Sequence, residues 1–184
     1  MELVETHFDA VKVLRAKRRG DARGFFAETY SARDFAVLGI ACDFVQDNHS
    51  LSRKAGVIRG LHFQLPPFAQ AKLLRVVRGS VLDAVVDIRR SSPSFGRHIT
   101  VTLSAENGLQ LFVPHGFAHG FCTLEPDTEV LYKVDAYYAP EHERGLAWDD
   151  PALAIPWPVA AGAAEVSEKD RRWPALSGLA DMFE

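Results

Sequence analysis

Three short stretches carry side chains able to move protons or hold an anion: "RGLHFQ" at residues 59–64, "QDNHS" at 46–50 and "VPHGFAHGF" at 113–121. Read as a strand, the first puts Arg59, Leu61 and Phe63 on one face and Gly60, His62 and Gln64 on the other. His62 is then either a core histidine with a hydrogen-bond partner or the working group of a site. Arg59, Gln64 and Lys72 lie in or beside runs that otherwise favour apolar side chains. Several such groups together point to a cavity holding a polar ligand. Tyr132 in "VLYKV" turns inward if Val130 and Val134 face the core, and a buried phenol must find a hydrogen bond or do chemistry. "QDNHS" reads either as a cluster of donors and acceptors or as an Asx-type turn. His115 and His119 would share one face of a helix as metal ligands, but Pro114, Gly116 and Gly120 argue against a helix there. Arg23 and Glu28 in "DARGFFAETY" read as a surface ion pair on an edge strand. Histidine, tyrosine, lysine and arginine inside one β structure supply a base, an acid and two cations, a set suited to proton transfer beside an anionic substrate.

The elements that must position these groups are mostly strands. One short helix is signalled by "SARDFAVLG": Ser31 with Asp34 three residues on forms a capping box, and Gly39 ends it. "KLLRVVRGSVLDAVVDI" reads as two strands joined by a tight hairpin at Gly79-Ser80, and "HITVTLSAENGLQLFVP" as a second hairpin with Asn107-Gly108 in a type I′ turn. "AHGFCTL" and "EVLYKVDAYY" add two strands. Regularly spaced short strands without intervening helical patterns predict an antiparallel sandwich or barrel. From Pro140 onward prolines become dense, which suits an extended wrapping segment, and "SEKDRRW" predicts a short helical turn started by Ser167.

A chain of 184 residues suits a single domain over 1–184, with a barrel core at about 45–140, a strand and helix segment before it and the wrapping segment after it. The net charge of −3 and scattered basic residues give no stripe for a nucleic acid polymer, although isolated Arg and Lys could hold a small phosphate ligand. The opening "MELVETHFDAVKVLRAKRRG" lacks the apolar run of a signal peptide, and no stretch is long enough to span a bilayer. Cys42 and Cys122 match no zinc or redox spacing and read as buried free thiols. The expectation is a soluble cytoplasmic domain that binds neither membrane nor nucleic acid.

Taken in order, "DARGFFAETY", "QDNHSLSRKAGVIRGLHFQ", "QAKLLRVVRGSVLDAVVDIRRSSPSFG", "LSAENGLQLFVPHGFAHGF", "YYAPEHERGLAWDDPALAIPWP" and "SEKD" strongly resemble the dTDP-4-dehydrorhamnose 3,5-epimerase family, over residues of about 20 to 172. The resemblance implies a mainly β, cupin-type antiparallel jelly-roll barrel with a few short helices, a homodimer, and neither metal nor other cofactor. It implies a substrate, dTDP-4-dehydro-6-deoxy-D-glucose, inverted at C3 and C5 to the L-rhamnose precursor. The C4 ketone acidifies both positions, so a neutral imidazole can deprotonate them, a cation can stabilise the enolate and a phenol can return the proton from the other face.

Carried over by the resemblance, His62 is the base, Tyr132 the acid, Asp170 the partner that orients His62, and Lys72 the cation beside the C4 oxygen. The substrate-binding positions are Arg23, Phe25, Glu28, Gln46, Asp47, Asn48, Arg59, His119, Glu143 and Lys169, with Tyr138 stacked on the thymine ring. Arg23 and its neighbours would reach across the dimer into the partner's site. Strict alternation separates Arg59 from His62, and Gly60 is the residue able to bulge the strand and bring them together. A mono-epimerase acting at C3 or C5 alone shares the same motifs. A metal-dependent cupin using His62, His115 and His119 is disfavoured by their spacing. A sugar-nucleotide binding module without catalysis has no need of a matched acid and base.

Overall fold

A computed structural model describes residues 1–180 and 183. In chain order the elements are β1 (Glu2–His7), β2 (Val11–Arg15), β3 (Arg19–Asp21), β4 (Gly24–Phe26), α1 (Ala32–Val37), β5 (Gln46–Ser52), β6 (Val57–Gln64), β7 (Lys72–Arg78), β8 (Ser80–Asp87), β9 (His98–Ser104), β10 (Leu109–Val113), β11 (Phe117–Thr123), β12 (Thr128–Val134), β13 (Glu143–Gly145) and β14 (Glu165–Val166). They form two facing sheets. The first runs β1-β2-β10-β7-β12-β5 and the second β13-β6-β11-β8-β9, with β14 added in parallel to β6 and every other pair antiparallel. This is the antiparallel jelly-roll architecture expected, and β3 with β4 forms a separate small hairpin.

Apolar clusters hold the sheets. Val11, Val13, Leu74, Val76, Val81, Val85, Leu111, Phe117, Phe121 and Val130 fill the space between the sheets. Leu61, Phe63, Ala84, Val86 and Ala118 turn to the outer face of the second sheet, where Leu146, Leu153 and Leu179 of the C-terminal segment cover them. Phe35 and Ile40 cap Leu14, Leu73 and Phe112 on the outside of the first sheet. Both faces of β8 are therefore buried, which explains its nearly unbroken apolar run. The helix forms where the capping box sits: the Ser31 side chain accepts from the Asp34 N–H, and Gly39 follows with φ 73°.

The two expected hairpins do not form. β7 and β8 lie in opposite sheets, as do β9 and β10, so each glycine marks a step between layers. At Gly79 (φ 73°) an added Cβ would stand 2.3 Å from the Thr128 hydroxyl, so the crossing is tight as well as left-handed. At Asn107-Gly108 only the glycine has positive φ (61°), whereas a type I′ turn needs both residues there. The Asn107 carboxamide instead accepts from the N–H groups of Ser104 and Leu109, each at 3.0 Å. "QDNHS" is strand β5, paired residue for residue with β12, and no turn. Arg23 pairs with Asp21 rather than Glu28, at 2.5 Å across the β3–β4 turn. Both cysteines are free thiols, Cys122 buried and Cys42 half-buried. Among the described residues no helix is long and apolar enough to cross a membrane.

Candidate active site

Between the sheets, a cavity of about 550 Å³ replaces part of the apolar filling. Its wall is built mainly by β6, β7, β11 and β12 and by the C-terminal segment, and includes Arg59, His62, Lys72, His119, Tyr132, Tyr138, Glu143, Lys169 and Asp170. The inward rows explain the set. Lys72 continues the row of Leu74 and Val76 on β7, Tyr132 sits between Val130 and Val134 on β12, and His119 lies between Phe117 and Phe121 on β11. Tyr132 and Lys72 thus come from the first sheet, and His62 and His119 face them from the second.

Gly60 brings Arg59 and His62 to the same cavity. Across β6 and β11 the register runs His119↔His62 and then Phe121↔Arg59, so two residues of β6 oppose one of β11. Gly60 (φ 128°) is the bulged residue, and its added Cβ would lie 2.5 Å from the Gly120 Cα and 2.8 Å from the His119 carbonyl oxygen. Only a residue without a side chain fits two backbones that close. Gln64, by contrast, serves structure: it donates to the Phe68 and Tyr137 carbonyls and accepts from the Ala139 N–H, clamping two loops.

His62 is held from the tail. Its Nε2 stands 2.6 Å from Asp170 Oδ1, so the neutral ring donates Nε2–H and leaves Nδ1 as the basic nitrogen. The short 3-10 turn Asp170–Arg172 carries the carboxylate, and Ser167 accepts from the Asp170 N–H, as the sequence predicts. Burial opposes the Asp170 charge, but the His62 hydrogen bond and charge and the Gly60 N–H hold its pKa below the usual carboxylate value. Trp173 Nε1 donates to Asp170 at 3.4 Å, and its ring lies edge-on to His62. On the opposite wall, burial pushes the Tyr132 phenol up, partly countered by Arg59, so it is protonated at neutral pH. Burial likewise drives the Lys72 ammonium down to about 8, while Asp83 and Glu143 act to keep it charged. Lys72 donates to the His62 carbonyl at 3.1 Å.

The remaining polar groups form a second cluster. Glu143 accepts from the Tyr138 hydroxyl at 2.8 Å and from Lys169 at 2.8 and 3.0 Å. Arg59 donates to the Ser52 hydroxyl and the Leu51 carbonyl. Gln46 and Asn48 are hydrogen-bonded to each other on the inward row of β5, which they share with Ser50 of the cavity wall. Asp47 faces outward and pairs with Lys133. Arg23, Phe25 and Glu28 do not line this cavity, and Phe25 and Phe26 project into solvent at 63% and 64% exposure. His115 lies outside it, against Asp135. Asp83, Ser167 and Trp173 are site residues that the sequence reading missed. The signal for Asp83 was an acid at an inward position of a buried apolar run. Trp173 gave no signal, and Ser167 showed only as the start of a turn.

Comparisons with known proteins identify the family and the fold. Residues 5–178 match the family model described as dTDP-4-dehydrorhamnose 3,5-epimerase. A protein of that name from Sinorhizobium fredii is 48% identical over all of this chain and 96% of its own length. The solved structure of the epimerase from Bacillus anthracis, with TDP and PPi bound, superposes with a TM-score of 0.92 at 50% identity, covering 95% of this chain and 98% of that one. A Legionella pneumophila epimerase in complex with dTDP-4-keto-L-rhamnose gives 0.91 at 43% identity, over 98% and 94% of the two chains.

Proposed function

We propose a histidine–tyrosine proton-transfer mechanism for this chain, which belongs to the dTDP-4-dehydrorhamnose 3,5-epimerase family. Its reaction is the epimerisation at C3 and C5 of a dTDP-linked 4-keto-6-deoxy sugar. The observation that carries the mechanism is the pairing of a carboxylate-oriented imidazole on one sheet with a protonated phenol on the other, facing each other across one cavity. His62 Nδ1 takes the proton from carbon beside the ketone, and the carbanion becomes an enolate. Lys72, whose ammonium is held by the His62 backbone carbonyl, stabilises the oxygen anion. Tyr132 then delivers a proton from the other side, and the stereocentre is inverted. Asp170 holds the imidazole tautomer and steadies the imidazolium that forms.

Arg59 and Lys169 supply positive charge for the diphosphate, and Tyr138 offers an exposed ring for the thymine. The hairpin bearing Arg23 and Phe25, with Glu28 just beyond it, lies outside its own cavity with two aromatic rings exposed, which supports a homodimer in which it completes the partner's site. The substrate we propose is dTDP-4-dehydro-6-deoxy-D-glucose. Incubation with that substrate in heavy water tests the assignment: NMR is expected to show deuterium at both C3 and C5. Label at a single carbon would replace double with single epimerisation, and no label at either would overturn the reading.

A further inference from the structure

Behind the cavity wall lies a carboxylate that the mechanism above does not use. Asp83 stands on the inward row of β8, between the core residues Val81 and Val85, with 0% of its surface exposed. An acid at such a place needs a reason, because burial penalises its charge. His119, 5% exposed, is its hydrogen-bonded neighbour, and Lys72, 8% exposed, feels its charge. His119 Nε2 lies 2.9 Å from Asp83 Oδ1 and 3.0 Å from Oδ2. One N–H cannot serve both oxygens well, and among the described residues Oδ1 has no hydrogen-bond partner.

We propose that Asp83 is a positioning residue for the epimerisation: its carboxylate fixes the His119 ring and keeps a full positive charge on Lys72 where the enolate forms. The inference rests on the proton-transfer reading given above. A hydrogen bond to His119 alone needs no charge, since an asparagine carbonyl of the same shape would accept it. The charge matters to Lys72. Among the described residues its hydrogen bond goes to a neutral carbonyl, that of His62, and desolvation acts to strip its proton. The groups facing it are Asp83 from β8, Glu143 from β13, and His119 and His62 from β11 and β6. Glu143 is already engaged with Lys169 and Tyr138, which leaves Asp83 as the acid not bound to another cation. With His119 neutral, Asp83 and Lys72 carry opposite charges that cancel in a dry interior.

The test is the Lys72 titration, followed by NMR of ε-¹³C-lysine-labelled protein without substrate, with Lys72→Arg identifying the signal. In the parent Lys72 is expected to titrate near 8, and in Asp83→Asn roughly one unit or more lower, because loss of a nearby opposite charge shifts a pKa by that order. The alkaline limb of kcat should move down with it while KM changes little, the diphosphate contacts being elsewhere. Asp83→Ser, which leaves room for water in place of the carboxylate, provides the same reading if the asparagine variant does not fold. A parent Lys72 titrating at its ordinary value, or an unchanged titration in either variant, overturns the proposal. The NMR arm needs no turnover, so a failure of the epimerase reading would leave it legible.

Discussion

Gly60→Ala probes the junction on which the whole site depends. The methyl group would enter a gap of 2.5 Å to the Gly120 Cα and 2.8 Å to the His119 carbonyl oxygen, both backbone atoms with no rotamer to change. It would also sit at φ 128°, where an L side chain is strained. Strain of that kind and overpacking of a tight contact cost comparable amounts, together about 4 kcal/mol. A single domain has roughly 5–15 kcal/mol in total, so the variant should fold marginally or only after β6 and β11 move apart. Such movement rotates Arg59 or His62 out of the shared cavity, and turnover should fall with stability. Urea denaturation followed by tryptophan fluorescence, beside an epimerisation assay, measures both. Gly162→Ala is the control, because nothing stands within 4 Å of its added Cβ. A Gly60→Ala protein within about 1 kcal/mol of the parent and fully active would refute the claim that the bulge needs glycine.

Further outcomes follow from the same geometry. Asp170→Asn should reduce kcat by about 10²–10⁴ with KM nearly constant in a steady-state assay, since it disturbs the base and not the nucleotide contacts. Tyr132→Phe should still exchange substrate protons with heavy water while inverted product falls by about 10², measured by NMR on one sample. Asp87, fully buried, is opposed by desolvation but held at about 2 by hydrogen bonds from Arg89, Ser92 and Ser94. Because its folded pKa is depressed, the stabilisation is present above about pH 4 and disappears as pH falls through about 2. Asp87→Asn should therefore lose about 2 kcal/mol at pH 7 and progressively less in urea titrations below pH 4.

What the sequence could and could not show divides along physical lines. Local chemistry was legible: the Ser31 cap, the Ser167 turn and the strand periodicity all depend on residues a few places apart. Sheet membership was not. Glycine with positive φ at Gly79 and Gly108 serves a chain folding back within one sheet and a chain stepping to the opposite sheet equally well. The choice is made by which faces must be buried, and both hairpins expected there were wrong for that reason. Burial also misled at Gln64, where a polar group inside a strand serves loop carbonyls and not a ligand. The His62–Asp170 pair joins residues 108 positions apart, a distance at which spacing carries no information, and the family resemblance alone pointed to it.

The distance between those two residues also explains why a barrel of this kind needs its long irregular tail. β6 is paired on both sides within the second sheet, yet its outer rim still receives β14 in parallel through Glu165 and Val166. That pairing delivers Ser167, Lys169 and Asp170 to the cavity in one short run. Trp173 then seats its ring where a Cβ on Gly145 would stand 2.6 Å away, so the close fit of glycine and indole fixes the tail against β13. Val166 joins Ile58, Cys122 and Trp148 in a separate apolar cluster beneath it. The strands alone would present His62 without a partner for Nε2 and leave the cavity without Lys169. Orientation of the base is therefore a consequence of how the last part of the chain packs, and the apolar contacts of that segment act on the reaction through one hydrogen bond.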